Sequence, residues 1–186
     1  MVLLIGHHGT NSSSAELILN SNFKLSLGDG EWLGDGVYFF VKGLNSDTKS
    51  LAFNWAKCHA WNNKSKTYDY ENYAIIQSEI RVKEEEFLDL TVEDGIEVLT
   101  YLAEKFIQKL KTIDKNLKFH DGLLLNLARR EGVLPLEVVK GNFYIKFEKE
   151  RIHRINLRTS NCTICSVYNP NKVLTNKSIV KTGVIR

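Results

Sequence analysis

Trp32-Leu33-Gly34-Asp35-Gly36-Val37-Tyr38-Phe39-Phe40-Val41 changes character half-way along. Its first half is a glycine turn around a tryptophan. Its second half is a run of aromatic and β-branched residues that reads as a strand. A second turn, Gly28-Asp29-Gly30, precedes it, and Phe23 to Leu27 predicts a short strand before that. Further upstream, Ser13-Ser14-Ala15-Glu16 has the form of a capping box and predicts a helix carrying Leu17, Ile18 and Leu19. Val2 to Ile5 predicts a buried strand that ends in a polar loop, His7-His8-Gly9-Thr10.

Downstream, Asp47 is placed to cap a helix through Leu51, Ala52, Trp55 and Ala56. Residues 62–72 are polar and read as a loop. Tyr73 to Val82 reads as a strand and Phe87-Leu88-Asp89-Leu90 as a second extended piece. From Glu93 to Leu110, Ile96, Leu99, Ala103, Phe106 and Leu110 form a helical stripe. Asp121 opens another helix, with Leu124, Leu127 and Ala128 inside and Gly132 just past its end. Asn142–Phe147, Arg151–Leu157 and Cys162–Tyr168 read as closing strands. Helices early and in the middle with strands clustered late give an α+β class rather than βαβ alternation. There is no internal repeat or low-complexity linker, so residues 1–186 are read as one domain.

Composition narrows the function classes. At 43% hydrophobic and 25% charged residues the 186-residue chain is not of disordered type. Three cysteines cannot build a disulfide framework, which points to a reducing, cytoplasmic setting. No apolar run reaches the roughly 18–20 residues that cross a bilayer, and the opening Met-Val-Leu-Leu-Ile is too short for a signal peptide. The net charge of +3 is uneven: residues 140–186 carry ten basic residues against two acidic ones, while the rest of the chain is net acidic. Such a basic quarter suits a polyanion or is a solvated face.

Two short motifs hold the strongest chemical signal. His8-Gly9-Thr10 places an imidazole, a bare backbone and a hydroxyl side by side. Gly9 lets a flat ligand approach main-chain N–H and C=O groups. Gly36-Val37-Tyr38-Phe39 sets an aromatic ring on a strand after a glycine turn, where a heterocycle can stack on Tyr38. The plainer account of a tyrosine in a strand is core packing.

In this order, His8-Gly9-Thr10, a short helix, Asn22-Phe23 and Gly36-Val37-Tyr38-Phe39 resemble the ADP-ribosyltransferases of the diphtheria-toxin and poly(ADP-ribose) polymerase type. Phe87-Leu88-Asp89-Leu90-Thr91, Asp121-Gly122 with Leu125-Asn126, Leu136 to Gly141, and Ile164-Cys165 with Asn169-Pro170 resemble stretches of bacterial members. The resemblance implies two packed antiparallel sheets, flanked by helices, that form a cleft for NAD as co-substrate. It implies that His8 bonds the adenosine ribose, that the Gly9 backbone pairs with the nicotinamide carboxamide and that Thr10 supports the adenosine side. Tyr38 would stack on nicotinamide, with Phe39 beside it, and Ser50 and Phe53 on the next helix would complete the pocket. Breaking the nicotinamide–ribose bond passes through an oxocarbenium-like state. Many members stabilise it with a glutamate at the start of a late strand.

Here that strand reads Asn161-Cys162-Thr163-Ile164-Cys165-Ser166-Val167-Tyr168, with no acid. One alignment puts Thr163 at the critical place and another puts Ile164 there; a slip of one residue exchanges the faces of a strand. Thr163, the polar one, is favoured as the catalytic position beside His8 and Tyr38. Glu148 and Glu150 are the nearest substitutes. Members without the glutamate transfer single ADP-ribose units or are inactive.

The basic stretch Lys146, Lys149, Arg151, His153, Arg154 and Arg158 is a candidate surface for the acceptor, with Arg151, Arg154 and Arg158 at its centre. No metal is expected. Cys162-x-x-Cys165 lacks a second pair and reads as packed strand cysteines, and His7-His8 with Cys58-His59 makes a poor ligand set. The resemblance thus implies a cytoplasmic mono-ADP-ribosyltransferase acting on a macromolecule, nucleic acid before protein. It looks like the toxin of a toxin–antitoxin or phage-defence system held by an antitoxin protein. The competing readings are an inactive module of the same fold that binds NAD or ADP-ribose, and a structural α+β domain with no cofactor.

Overall fold

The computed structural model describes residues 1–28, 30–113, 121–147 and 159–185. In chain order the elements are β1 (Val2–Asn11), α1 (Ser12–Asn20), β2 (Val37–Val41), α2 (Thr48–Ala60), β3 (Trp61–Asn62), β4 (Thr67–Tyr68), β5 (Asn72–Val82), β6 (Phe87–Asp89), α3 (Glu93–Ile113), α4 (Asp121–Arg130), β7 (Val138–Phe143), β8 (Cys162–Val167), α5 (Pro170–Val173) and β9 (Leu174–Val184). The class is α+β. The expected pair of packed antiparallel sheets is replaced by one seven-stranded sheet, in the order β6-β7-β8-β2-β1-β5-β9, and a separate ribbon of β3 and β4. Every neighbour in the large sheet is antiparallel except β6 and β7, which run parallel. The reason is a narrow join: β1 and β2 are paired only at Gly6↔Val41 and His7↔Phe40. Those pairs are enough to make two half-sheets continuous.

β1 is longer than expected. Residues 7–10, read as a loop, lie inside it and pair with Gln77, Ile76, Ile75 and Ala74 of β5. Their polarity did not prevent a strand, because β5 supplies a complete backbone ladder and α2 covers one face. Gly9 is required by that cover: a Cβ there would lie 1.8 Å from the carbonyl oxygen of Ala52. His7 points to the same side. Its Nδ1 accepts from the Thr48 hydroxyl at 2.8 Å and its Nε2–H donates to Gln77 Oε1 at 3.2 Å, an assignment that the amide oxygen acceptor imposes. This buried imidazole ties the first turn of α2 to β1 and β5.

Strand alternation divides the core between the two faces of the sheet. Phe40, Ile75, Cys162 and Ile164 pack with Leu51, Ala52 and Ala56 of α2 on one face. Val37, Phe39, Val41, Ala74, Ile76 and Cys165 pack with Ala15 and Phe23 on the other. The two β8 cysteines therefore sit in opposite layers, free and buried. Burial raises the Cys162 thiol to about 11 and pushes the Cys165 thiol up as well, so both behave as small apolar groups.

Several local expectations are corrected. α1 is capped by Asn11, whose side chain accepts from the Ser14 N–H at 2.7 Å, and not from within the serine run. Its Leu17 is exposed and Ala15 is the buried contact. Phe23 to Leu27 forms only a single bridge, Ser26↔Gly36. Asp47 does cap α2, accepting from the Ser50 N–H at 3.1 Å. The polar 62–72 segment contains part of the β3–β4 ribbon. On α3, Leu102 is buried and Ile96 faces solvent, because α4 packs against the helix from Val98 onward. The strand expected over 142–147 is set earlier, as β7, and Arg151–Leu157 lies outside the described residues. β9 was unexpected: its polar sequence hides an edge strand of eleven residues that follows β5 with two irregularities. No helix among the described residues is long and apolar enough to cross a membrane.

Gly9→Ala should lower folding stability by about 3 kcal/mol, since a backbone carbonyl and not a flexible side chain stands where the methyl must go. Thermal melts measure this. Wild-type stability in that variant would mean that α2 is not seated on β1 as described.

Candidate functional site

Past His7↔Phe40 the two central strands separate, and β1 beyond that point has no β2 partner among the described residues. In an antiparallel strand alternate residues aim N–H and C=O at the same neighbour. Two of the four residues His8–Asn11 therefore turn their backbone groups toward the gap. A cavity of about 370 Å³ fills this wedge, lined by His8, Gly9, Gly36, Val37, Tyr38, Phe39 and Phe40, with Trp55 and His59 from α2. Lys24, Ser26, Glu31, Trp32, Ile145 and Ile164 close it.

The His8 imidazole bridges the wedge just past the last β1–β2 pair. Its Nδ1–H donates to the Tyr38 carbonyl oxygen at 2.9 Å, since a carbonyl can only accept. The neutral ring therefore offers Nε2 as an acceptor. Phe23 and Phe39 pack against the ring at centroid distances of 5.2 and 5.8 Å. Burial, more than any other cause, holds its pKa below the ordinary value, with the nearby His59 acting in the same direction.

The Tyr38 hydroxyl accepts from the Leu33 N–H at 2.9 Å and donates to the Gly34 carbonyl at 2.7 Å, and burial pushes its pKa up. That hydroxyl is fixed in the glycine turn and only the ring is offered to the cavity. The turn is in turn fixed by α4. Asn126 Oδ1 accepts from the Asp35 N–H at 2.8 Å, and a Cβ on Gly122 would lie 1.7 Å from the Glu31 carbonyl oxygen. Tyr168 donates to the Leu33 carbonyl at 2.7 Å, and the Arg129 guanidinium covers the Tyr168 ring at 4.0 Å. Glu31 and Trp32 thereby reach the cavity from a braced loop. Glu31 Oε1 accepts from the Ser26 hydroxyl at 2.7 Å. Trp32 stacks on Phe143 at 5.2 Å and 16°.

The structure brings His8, Gly9 and Tyr38 to one cavity and separates other residues named with them. Phe39 lines the cavity, but its ring is a core group in contact with Phe23. Thr10 lies opposite Ala74 and is not among the lining residues. Ser50 is in the first turn of α2, away from the cavity, and Phe53 packs on Tyr73 at 4.7 Å in a different depression. The α2 face that does meet the cavity carries Trp55 and His59, one turn further on and 4.3 Å apart. Their i, i+4 spacing puts them on one face of the helix, and that is the signal the sequence holds for them. His59 is exposed on its outer side, while partial burial lowers its pKa.

The late-strand position is also corrected. Thr163 is buried on the other side of β8, where its hydroxyl donates to Asn142 Oδ1 at 2.7 Å and accepts from the Leu44 N–H at 2.9 Å. Ile164, opposite Phe40, lines the cavity. The carboxylate that the cavity does contain is Glu31, which carries no sequence signal of its own because it sits in a turn. Glu148, Glu150, Arg151, Arg154 and Arg158 lie outside the described residues. Among the described residues no group of three or more His, Cys, Asp or Glu is arranged to hold a metal ion.

No family model matches the chain. Over 86 residues it is 37% identical to an uncharacterized protein of Methanocaldococcus jannaschii, a stretch covering 46% of this chain and 36% of that one. The match thus spans about a third of that relative's length.

His7, His8 and His59 all have pKa values lowered from 6.5, chiefly by burial. The unfolded chain protonates these rings near pH 6.5 while the folded chain resists. Stability is therefore complete above about pH 6.5 and is lost as pH falls through the lower folded values. Urea unfolding should give a steady midpoint from pH 8 to 7 and a falling one from pH 6.5 to 5. His8→Asn keeps a donor toward the Tyr38 carbonyl and should flatten part of the fall. An unchanged pH profile in that variant would count against the neutral, Nδ1-protonated ring.

Proposed function

We propose that this protein is a cytoplasmic mono-ADP-ribosyltransferase that moves ADP-ribose from NAD to a macromolecular acceptor, nucleic acid before protein. The observation that carries this reading is the convergence of His8, Gly9 and Tyr38, thirty residues apart in sequence, on one cavity in the opened strand pair. The available acceptor at His8 Nε2 suits a ribose hydroxyl. The backbone edge at Gly9 suits a carboxamide, and the Tyr38 ring, freed of its hydroxyl's demands, suits a stacked nicotinamide. A cavity of this size is at the small end of ligand pockets, in keeping with the nicotinamide–ribose end alone inside it. The fold that the reading requires is the transferase one, with its cleft placed where β1 and β2 part.

In the reaction the bond between ribose C1′ and the nicotinamide nitrogen breaks, and nicotinamide leaves neutral with the bonding pair. An acceptor oxygen or nitrogen then bonds to C1′ and gives up its proton. Glu31 is the negative group on the cavity wall that would stabilise the cationic ribose. His59, neutral and at the mouth, would take the acceptor proton. A toxin role with an antitoxin partner fits such an activity, since unregulated transfer would harm the cell that makes it.

One observation favours the second reading, an inactive NAD- or ADP-ribose-binding module. The β8 residue that faces the cavity is Ile164, which offers no charge. Nicotinamide release separates the two.

His8→Ala and Tyr38→Ala should each weaken NAD binding about three- to ten-fold, for the loss of one hydrogen bond or one aromatic stack, and reduce transfer more than binding. Calorimetry with NAD and labelled-NAD incorporation check this. Full activity in a folded double variant removes the NAD site. Ile164→Glu should raise nicotinamide release by placing a carboxylate on the cavity wall. Thr163→Val, which breaks two hydrogen bonds on the far side, should lower the melting temperature without a selective effect on NAD binding. The reverse pattern in these two variants would return the catalytic position to Thr163.

A further inference from the structure

The other side of α2 faces a second depression, of about 650 Å³, between that helix, the β3–β4 ribbon and residues 146–147. We propose that this groove binds single-stranded nucleic acid and leads it to the cavity as the acceptor. The proposal rests on the transferase reading for the second half of that statement only.

The ribbon forms the outer wall. Trp61 and Tyr68 are cross-strand partners, with ring centroids 5.2 Å apart and planes at 73°, and Trp61 retains an exposed face. Trp61 is about one-third exposed, and that face, left uncovered by its contact with Tyr68, is a platform for an unpaired base. The side chains of Asn54 and Asn63 line the same groove and carry the paired donor and acceptor that match base edges. Lys146 lines the groove, and Lys64 and Lys66 occupy the ribbon's turn, while no described lining residue is acidic. Flat aromatic surface, amides and lysines without acids match a chain of bases on a phosphate backbone. An acidic peptide would be served by the lysines but would leave the Trp61 face without use. A duplex keeps its base faces stacked inside and cannot present them to Trp61.

The groove and the cavity share a wall. Residue 145 lines the cavity and residues 146–147 line the groove. Phe147, in the groove, lies 6.3 Å by ring centroid from Phe40, in the cavity. Cys58 Sγ donates to the Phe147 carbonyl at 3.3 Å and fastens this segment to α2. His59, the next residue on the helix, stands at the cavity mouth. A strand lying in the groove therefore brings a nucleotide past His59, the group placed to receive its proton.

The test is fluorescence anisotropy of the whole protein with fluorescein-labelled 12-nucleotide RNA and DNA single strands, the matching duplex, and polyglutamate. Single strands should bind, with duplex and polyglutamate at least ten-fold weaker. RNA and DNA arms then identify which sugar is preferred. Trp61→Ala should weaken single-strand binding about five-fold or more, and Trp61→Phe should restore most of it. Lys64→Glu with Lys146→Glu should weaken binding and reduce its salt dependence, by about 0.7 in log–log slope for each phosphate that is no longer neutralised. Unchanged binding in Trp61→Ala protein with a normal melting curve overturns the groove, as does equal binding of duplex. Polyglutamate binding as well as single strands overturns it in favour of an acidic protein surface. NAD titration of the same wild-type preparation keeps the two readings apart. Oligonucleotide binding without NAD binding supports the groove and removes the transferase. NAD binding without oligonucleotide binding removes the groove and leaves the transferase.

Discussion

Among the described residues, two register pairs, Gly6↔Val41 and His7↔Phe40, join one half of the main sheet to the other. On either side of this join the pairings are long: β1 follows β5 for its full length, and β2 follows β8 across all five of its residues. Each half is thus a continuous ladder, and the right-handed twist of strands carries the two apart once pairing stops. The wedge that results is open to a ligand because its floor is already satisfied. His8 closes the first gap by donating to the Tyr38 carbonyl, and Gly9 is held from behind by α2. The central cavity is in this sense a consequence of where the β1–β2 ladder ends.

Packing then decides which groups the wedge presents. The glycine at position 9 meets two demands at once. Its missing side chain admits the Ala52 carbonyl on one side, and its backbone edge borders the cavity on the other. A ligand-based account of this glycine is therefore incomplete, since α2 alone would require it. Tyr38 is similar. Its hydroxyl serves the fold, through Leu33 and Gly34, and its ring serves the cavity. The Glu31–Gly36 loop is braced by α4 through Asn126 and Gly122, so a helix far away in sequence controls the position of Glu31 and Trp32.

Charge in the cavity is arranged differently from the pattern that the sequence resembles. β8 contributes an isoleucine, and the carboxylate arrives from the loop before β2. Two imidazoles, His8 and His59, share the space, and His59 adds to burial in holding the protonation of His8 down. This leaves an anion, two neutral bases and an aromatic wall of Trp32, Tyr38, Phe40 and Trp55 around one space. On the proposed reading, such an arrangement would suit a cationic, flat ligand end and an acceptor that loses a proton on arrival.

The sequence by itself determined the elements whose signals are local. Val37–Val41 is a strand because aromatic and β-branched residues follow a glycine turn, and α2 and α4 begin at their acidic residues. The order of two motifs also singled out His8, Gly9 and Tyr38, which line one cavity. The tertiary structure decided the rest, for physical reasons that no local pattern holds. Residues 7–10 are a strand because β5 and α2 complete their bonds and cover, and β9 is a strand because β5 offers it an edge despite its polar sequence. Thr163 or Ile164 was a choice between the two faces of β8. Asn142 and the Leu44 N–H settled it by claiming the threonine hydroxyl. Whether Phe53 or Trp55 met the cavity depended on the rotation of α2, which is fixed where Gly9 meets Ala52 and His7 meets Thr48. Periodicity gives the spacing of a face; only the contact across it gives its direction.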